Sequence, residues 1–339
     1  MTDVEEVLSQ INPKLRKKIG LASDAPKVEY QETPSISLNE ALGGGFVYGR
    51  QVLIWGSKSA AKSSMCLEMV GMAQKSGKVC AWIDAEMSYD ADWAKRLGVD
   101  SDNLILSSAR TVNDMVDVAT DLMSAGVDLI VVDSITSLLP AIYFEKDGKS
   151  LKDLDQTKQI GADARDMGNA VKMLNYANNR VKPTLLVLIS QARTSINTTY
   201  SNQIPTGGQA TKFYSSTVVK LFSSEFDKQA IDGEVFVGDK IIKKKIARKV
   251  RWELQFSKTS AGFASGEYDF YFRGDDVGID NVGELVDLAV QMGIINRTGA
   301  WYTVPGVDDT LQGQHNVVKR LKSDESVYEA VKKAVQANV

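Results

Sequence analysis

The segment GSKSAAKS, Gly56 to Ser63, sets a glycine, a run of small residues, a lysine and a hydroxyl between the apolar run Gln51–Trp55 and a helical stretch reaching about Gln74. These residue types at this spacing suit a polyphosphate. Small residues let successive backbone N–H groups turn inward, and the start of the helix adds the positive end of its dipole. Lys62 is placed to reach the terminal phosphate oxygens and Ser63 to hold Mg2+. The predicted loop comprises Gly56, Ser57, Lys58, Ser59, Ala60, Ala61, Lys62, Ser63 and Ser64. It fits the pattern G-x-x-x-x-G-K-[ST] except at Ala61, where the pattern has its second glycine. An alanine held at positive φ costs on the order of 1 kcal/mol, which a ligand loop tolerates.

Further along, LIVVDS ends an apolar run on Asp133, a carboxylate suited to hold Mg2+ through a water. The two motifs in this order predict a P-loop NTPase, with ATP and Mg2+ as its ligands. Glu86, in WIDAEMSYD, lies just past another apolar run, where the carboxyl ends of parallel strands face a ligand crevice. There it either accepts a proton from an attacking water or is a solvated loop glutamate. Asp84 lies within the strand end and is read as support for that loop. Gln191 ends a further run, as a plain cap or as an amide that bonds both the γ-phosphate and the loop behind it.

Strands have to hold these groups. QVLIW (51–55), VCAWID (79–84), DLIVVDS (128–134) and TLLVLIS (184–190) are continuous apolar runs, with helices predicted to about 74, near 112–125 and around 163–180. That alternation describes an α/β fold with a mostly parallel sheet flanked by helices. Residues 216–273 alternate as hairpin strands do, which predicts an antiparallel extension. From Gly283 helical patterns dominate, with one short strand near Trp301-Tyr302. The expected division is 1–33 for an N-terminal helix and linker, 34–281 for the core and 282–339 for a small C-terminal domain. In the first segment Val4, Val7, Leu8, Ile11, Leu15 and Ile19 recur at helical spacing, broken at Asn12-Pro13. That stripe packs either on its own domain or on a neighbouring subunit.

The chain has 339 residues, 40 basic and 43 acidic, for a formal charge of −3, which argues against a uniformly basic nucleic-acid binder. One histidine, His315, excludes His-pair chemistry; Cys66 and Cys80 alone exclude a disulfide framework and suit a reducing cytosol. No apolar run is long enough for a membrane span, so the composition predicts a soluble intracellular protein without membrane partners. Within the average, Lys240–Lys258 carries eight lysines and arginines against one glutamate. It is either a strand edge protected by lysine or a phosphate-tracking patch.

The sequence resembles the RecA family of ATP-dependent homologous recombinases from about Val28 to Val331. The resemblance rests on VEYQETPSISLNEALGGG, the phosphate loop, CAWIDAE, AKRLGVDSDNLI, LIVVDS, ISQAR, PTGGQATKFYSS, KIIKKKIA, GELVDLAV and GAWY, in family order and spacing. It implies a RecA-like P-loop core with an N-terminal polymerisation helix and a small C-terminal α/β domain. By position it implies that Glu86 activates water, Gln191 senses the γ-phosphate, and Asp90 and Trp93 contact adenine. It implies that Lys243 and Lys245 reach across the subunit interface to the neighbour's ATP. Ala61 and the lack of a long acidic tail suit a phage-encoded member, in the cytoplasm of a bacterium or a phage-infected bacterium.

The same resemblance makes two polar segments the family's DNA loops, here 143–164 and 194–210. It implies that Ile160 and Ile196 separate nucleotide triplets, that Lys172, Arg193, Gly207 and Gly208 approach phosphates, and that Arg165 occupies a family arginine position. Lys240 matches one basic position of the family's secondary DNA site, whose arginine pair is Ser223-Ser224 here. The patch is therefore expected to shift toward Lys244, Arg248, Lys249 and Arg251. Lys319, Arg320, Lys322, Lys332 and Lys333 gather duplex DNA by resemblance, or are a solvated helix face by sequence alone.

The implied activity is a DNA-dependent ATPase that forms helical filaments on single-stranded DNA and exchanges strands with a homologous duplex in recombination and repair. Two alternatives stay open at this point: a hexameric RecA-fold helicase, and a nucleotide-stabilised DNA filament with little hydrolysis.

Overall fold

The apolar runs become the middle of one large sheet. A computed structural model describes residues 4–16, 19–24, 27–145, 150–153, 162–194, 203–223, 230–237, 240–260, 262–274 and 276–337; Ile160, Ile196 and Ser224 lie outside them. The first helices, α1 (Val4–Ser9) and α2 (Pro13–Arg16), part at the predicted break. Pro13 opens α2, where its missing N–H has no intrahelical partner to lose, and the Asn12 side chain accepts from Lys14 N at 3.0 Å. Neither helix buries a residue. Val4, Val7 and Leu15 are 56%, 49% and 52% exposed, so the stripe does not pack on its own domain.

A small ribbon of β1 (Tyr30–Gln31) and β2 (Phe46–Val47) brackets α3 (Ile36–Leu42). Six neighbouring strands are parallel: β3 (Gln51–Gly56), β4 (Cys80–Asp84), β5 (Leu104–Ser107), β6 (Leu129–Asp133), β7 (Leu185–Thr194) and β9 (Thr217–Phe222), in the order β5-β4-β6-β7-β3-β9. Beyond β9 the sheet turns antiparallel through β11 (Lys240–Ser257), β12 (Ala264–Tyr271) and β13 (Gly278–Ile279). β8 (Gln203–Pro205) pairs with the far end of β7, and β10 (Ala230–Val237) with the first half of β11.

Helices α4 (Lys62–Lys75), α5 (Ala91–Arg96), α6 (Val112–Ala125), α7 (Ala162–Ala177) and α8 (Gly208–Tyr214) connect the strands. Successive side chains of a strand face opposite sides, and β3 shows the consequence. Val52 and Ile54 join a core with Met65 and Met69 of α4; Leu53 and Trp55 join a second core with Met115 of α6 and Leu174 of α7. Burial on both faces explains why the parallel strands read as unbroken apolar runs. Strand β5, with Ile105 and Leu106 exposed at the sheet edge, was not expected from the sequence.

The C-terminal part has its own core, drawn from α9 (Asn281–Gln291), α10 (Gln314–Ser323) and α11 (Glu325–Ala337). In place of one short strand it holds three, β14 (Asn296–Thr298), β15 (Trp301–Thr303) and β16 (Leu311–Gln312), paired antiparallel. One carboxylate ties this part to the rest, and a second ties α4 to the last strand of the sheet. Glu284 of α9 accepts from Ser35 Oγ at 2.8 Å, from Ile36 N at 3.1 Å and from Ser37 Oγ, at the positive end of α3. Burial pushes it up to about 7. Glu68 of α4 accepts from Ile279 N with both oxygens, at 3.1 and 3.2 Å, and burial pushes it up to about 8. A Cβ at Gly278 would stand 2.7 Å from Glu68 Oε2, and its φ of 112° also requires glycine.

Candidate nucleotide site

The phosphate loop leaves the sheet at Gly56, pressed against the neighbouring strand. A Cβ there would lie 1.6 Å from Leu221 O, so only glycine fits. Ser57 N then donates to Leu221 O at 3.3 Å. Ser59 and Ala61 take left-handed φ values of 62° and 55°. Ala61 is also the N-cap of α4 and supplies no side-chain cap, leaving the first N–H groups of the helix open to an anion. The Lys62 ammonium folds back over the loop, donating to Ser57 O at 2.7 Å and to Gly56 O at 3.3 Å. Burial pushes Lys62 down, against the opposing pull of the Asp133 and Glu86 carboxylates.

Adjacent strand ends supply the remaining groups. Asp133, at the end of β6, accepts from the Ser63 hydroxyl, and burial pushes its carboxyl up to about 6. Glu86 follows β4, and its Oε1 accepts from Ser134 Oγ, from Ser137 Oγ at 3.3 Å and from Gln191 Nε2 at 3.0 Å. Gln191 lies in β7, and its N–H donates to Thr136 Oγ1 at 2.9 Å. Asp84 accepts from Glu86 N at 3.2 Å and Tyr89 N at 2.9 Å, shaping the loop that carries Glu86. Lys58–Ser64, Glu86, Asp133, Ser134, Ile189 and Gln191 line one cavity of about 330 Å³. A hydroxyl touching a carboxylate, a buried lysine and an uncapped helix start are a donor set that fits Mg2+ and a nucleotide triphosphate.

Asp90 and Trp93 are not among the residues lining that cavity. Asp90 caps α5, accepting from Asp92 N and Trp93 N at 3.0 Å each. Trp93 is partly buried, with its Nε1 3.4 Å from Ser64 Oγ and its ring edge-on to Phe270. Ser134, Thr136 and Ser137 were missed by sequence reasoning; the hydroxyl-rich run DSITS after β6 was the available signal.

Beyond Gln191, β7 runs on to Thr194, and β8 returns beside it with Arg193 opposite Ile204. Thr206 N donates to Ser190 Oγ at 3.0 Å, closing the base of this ribbon. Arg193 is exposed and, two residues on, shares the strand face of Gln191. Gly207 caps α8 with φ 87°, and Gly208 opens that helix. Arg165 and Lys172 are exposed on α7, which packs against α8.

A family model of the RecA N-terminal domain matches residues 3–266, and one of the RecA C-terminal domain matches residues 283–339. The chain belongs to the RecA family. It is 33% identical over 346 residues to Protein RecA of Picosynechococcus sp. (strain ATCC 27264 / PCC 7002 / PR-6), covering 99% of this chain and 93% of the relative. Against Protein RecA of Saccharopolyspora erythraea it is 34% identical over 341 residues, covering 98% and 91%. Against that of Chlorobaculum tepidum it is 33% identical over 337 residues, covering 98% and 90%. This RecA-family chain is a DNA recombinase of recombination and repair, in a family of DNA-dependent ATPases that use ATP with Mg2+. Among the described residues no helix is long and apolar enough to cross a membrane.

In this RecA-family protein the basic run of β11 does not form the single patch expected. Alternation sends neighbouring cations to opposite faces, and β12 supplies acids to one of them. Lys249 pairs with Glu267 at 3.0 Å and Asp269 at 3.3 Å, and Arg251 with Glu267 at 3.3 Å. Arg248, on the other face, donates to Ser59 O of the phosphate loop at 2.9 Å. Ser223, one of the two residues expected at a basic DNA position, instead exchanges hydrogen bonds with Ser57 and Lys249. Lys240 starts β11, Lys243 and Lys244 are exposed, and Lys245 pairs with Asp232 at 3.1 Å.

Lys243 and Lys245 share one face of β11, Lys243 exposed and Lys245 held by Asp232 of β10.

Proposed function

We propose that this recombinase assembles head-to-tail on single-stranded DNA, binds ATP between protomers and uses hydrolysis to release the filament. The N–H groups at the head of α4 and Lys62 would hold the phosphates, while Ser63 and Asp133 would hold Mg2+. Bound ATP supplies the phosphoanhydride bond that is broken, and Mg2+ neutralises charge on its oxygens. Glu86 accepts the proton of the attacking water; Ser134, Ser137 and Gln191 orient its carboxylate from one oxygen. Trp93 offers a flat face to adenine beside Ser64, with Asp90 behind it.

The observation that carries this reading is the shared strand. Gln191 bonds the water-activating carboxylate, and three residues later the same strand enters the segment assigned to DNA. Arg193, Gly207 and Gly208 at the base of that segment, with Arg165 and Lys172 on α7, approach phosphates, and Ile160 and Ile196 divide the bases. The exposed stripe of α1 and α2 docks on the next protomer, and homologous duplex DNA is the second substrate. Electron microscopy of the full chain with ATP and single-stranded DNA tests the assembly. Helical filaments are expected, and closed rings alone would overturn it in favour of a ring motor.

A further inference from the structure

The phosphate loop departs twice from unstrained geometry. Ser59 and Ala61, with φ of 62° and 55°, occupy the left-handed region that favours glycine, and neither is glycine. The head of α4 has no side-chain cap to hold the turn. Support arrives from the antiparallel strands instead. Ser223 N donates to Ser57 Oγ at 3.3 Å, and Ser223 Oγ donates to Lys249 O at 3.1 Å, fastening the first arm of the loop to β11.

At the adjacent residue, Arg248 Nη1 donates to Ser59 O at 2.9 Å, while its guanidinium lies over the Phe272 ring at 5.2 Å. The register explains how it gets there. Strand β9 ends at Phe222, opposite Arg251, and β10 joins β11 only at Ala230, opposite Arg248, so Arg248 lies at the junction where one neighbouring strand gives way to the next. It also shares the strand face of Val250 and Trp252, which pack in the core under α4. A charge-assisted hydrogen bond to a carbonyl is directional, and the peptide is planar. Holding Ser59 O therefore fixes the whole Ser59–Ala60 peptide, midway between the two left-handed residues. Stacking on Phe272 keeps the guanidinium fork from swinging away.

We propose that Arg248 is a positioning residue of the nucleotide site: from β11 it braces the phosphate loop of its own chain and offsets the strain of Ala61 at a glycine position. The proposal rests on reading Gly56–Ser64 as the nucleotide loop. It replaces the expectation that Arg248 contacts DNA, since one guanidinium committed to Ser59 and Phe272 is not offered to a phosphodiester.

The test is ADP·Mg2+ binding to the full chain without DNA, measured by titration calorimetry. The variants are Arg248→Ala, Arg248→Lys, Ala61→Gly and the double variant Ala61→Gly/Arg248→Ala. Arg248→Ala should weaken binding about tenfold, in line with a lost hydrogen bond to a charged group. Arg248→Lys, which keeps a donor, should lose less. In the Ala61→Gly background the same removal should cost about threefold or less, because the strain it offsets is gone. In steady state KM for ATP should rise while kcat at saturation stays within about twofold. Unchanged ADP affinity in Arg248→Ala overturns the brace, as does an equal loss in both backgrounds. So does a loss of DNA affinity with ADP affinity intact, which is the signature of a DNA contact. If Arg248→Ala does not fold, Arg248→Lys and Arg248→Gln carry the same comparison. Failure of the wild type to bind ADP overturns the loop reading itself, whereas a silent Arg248 variant overturns only the brace.

Discussion

Gln191 Nε2 donates to Glu86 Oε1 at 3.0 Å, and that one contact joins β7 to the carboxylate behind β4. The same oxygen takes the Ser134 and Ser137 hydroxyls, so all three donors converge on Oε1. The carboxylate is held from the sheet side by strand ends that are fixed by burial on both faces. A group held this way is ready to accept a proton, and its orientation depends on where Gln191 points.

Glu86→Gln is expected to keep nucleotide affinity within about twofold and to lower DNA-stimulated hydrolysis at least 100-fold, the usual scale for losing a general base. Phosphate release with single-stranded DNA measures it. Equal hydrolysis by both forms would remove Glu86 from the chemistry. Undetectable hydrolysis by both would favour a filament that nucleotide stabilises without turnover.

Stability should fall as pH rises, through Glu68. Burial lifts its folded pKa to about 8 from an ordinary value of 4.5, so the folded chain binds more protons than the unfolded one between those values. The stabilisation is complete below the unfolded pKa and is lost as pH climbs through the folded one. Glu68→Gln, which still accepts from Ile279 N, should flatten this dependence. Denaturant midpoints at pH 5 and pH 8.5 give the comparison, and parallel curves for the two proteins would rule out Glu68 as the source.

Glu284→Ala should loosen the C-terminal domain. The change leaves Ser35 Oγ, Ser37 Oγ and Ile36 N without their acceptor, a cost of about 2 kcal/mol. Limited proteolysis should then cut near residue 280 faster than in wild type, while Glu284→Gln lies between the two. Unchanged cleavage would mean the packing of α9 alone holds the domain.

The first 33 residues should matter to assembly and little else. Val4, Val7 and Leu15 are exposed and support no local core. Val7→Glu, or removal of residues 1–33, should abolish filaments while leaving ADP affinity within about twofold. Filaments of normal length from either variant would send the stripe elsewhere.

Legibility in the sequence followed the physics of each element. Strands buried on both faces announce themselves as apolar runs, so β3, β4, β6 and β7 were readable, and so was the loop after β3. Strand β5 was not, because an edge strand of four residues with Ile105 and Leu106 exposed has neither a continuous core pattern nor a clean alternation. The β7–β8 ribbon escaped because its return strand is only three residues long and ends on Pro205, too short to show an alternation. The basic run misled for another reason. Its cations are close in sequence, but Lys249 and Arg251 find Glu267 and Asp269 on the return strand, Lys245 finds Asp232 on β10, and alternation points Arg248 to the other face. Charge in sequence is a sum; charge in the fold is a set of pairs.

Coupling between nucleotide state and DNA affinity is the claim on which the rest stands, and it is measured most directly by the Kd for single-stranded DNA with a non-hydrolysable ATP analogue and with ADP. Wild type should bind at least about tenfold more tightly with the analogue, within the usual range of coupling between linked sites. Gln191→Ala, with Lys62 and Ser63 intact, should bind DNA equally in both states. A wild-type ratio near one, or a full ratio retained in Gln191→Ala, would contradict the route through β7.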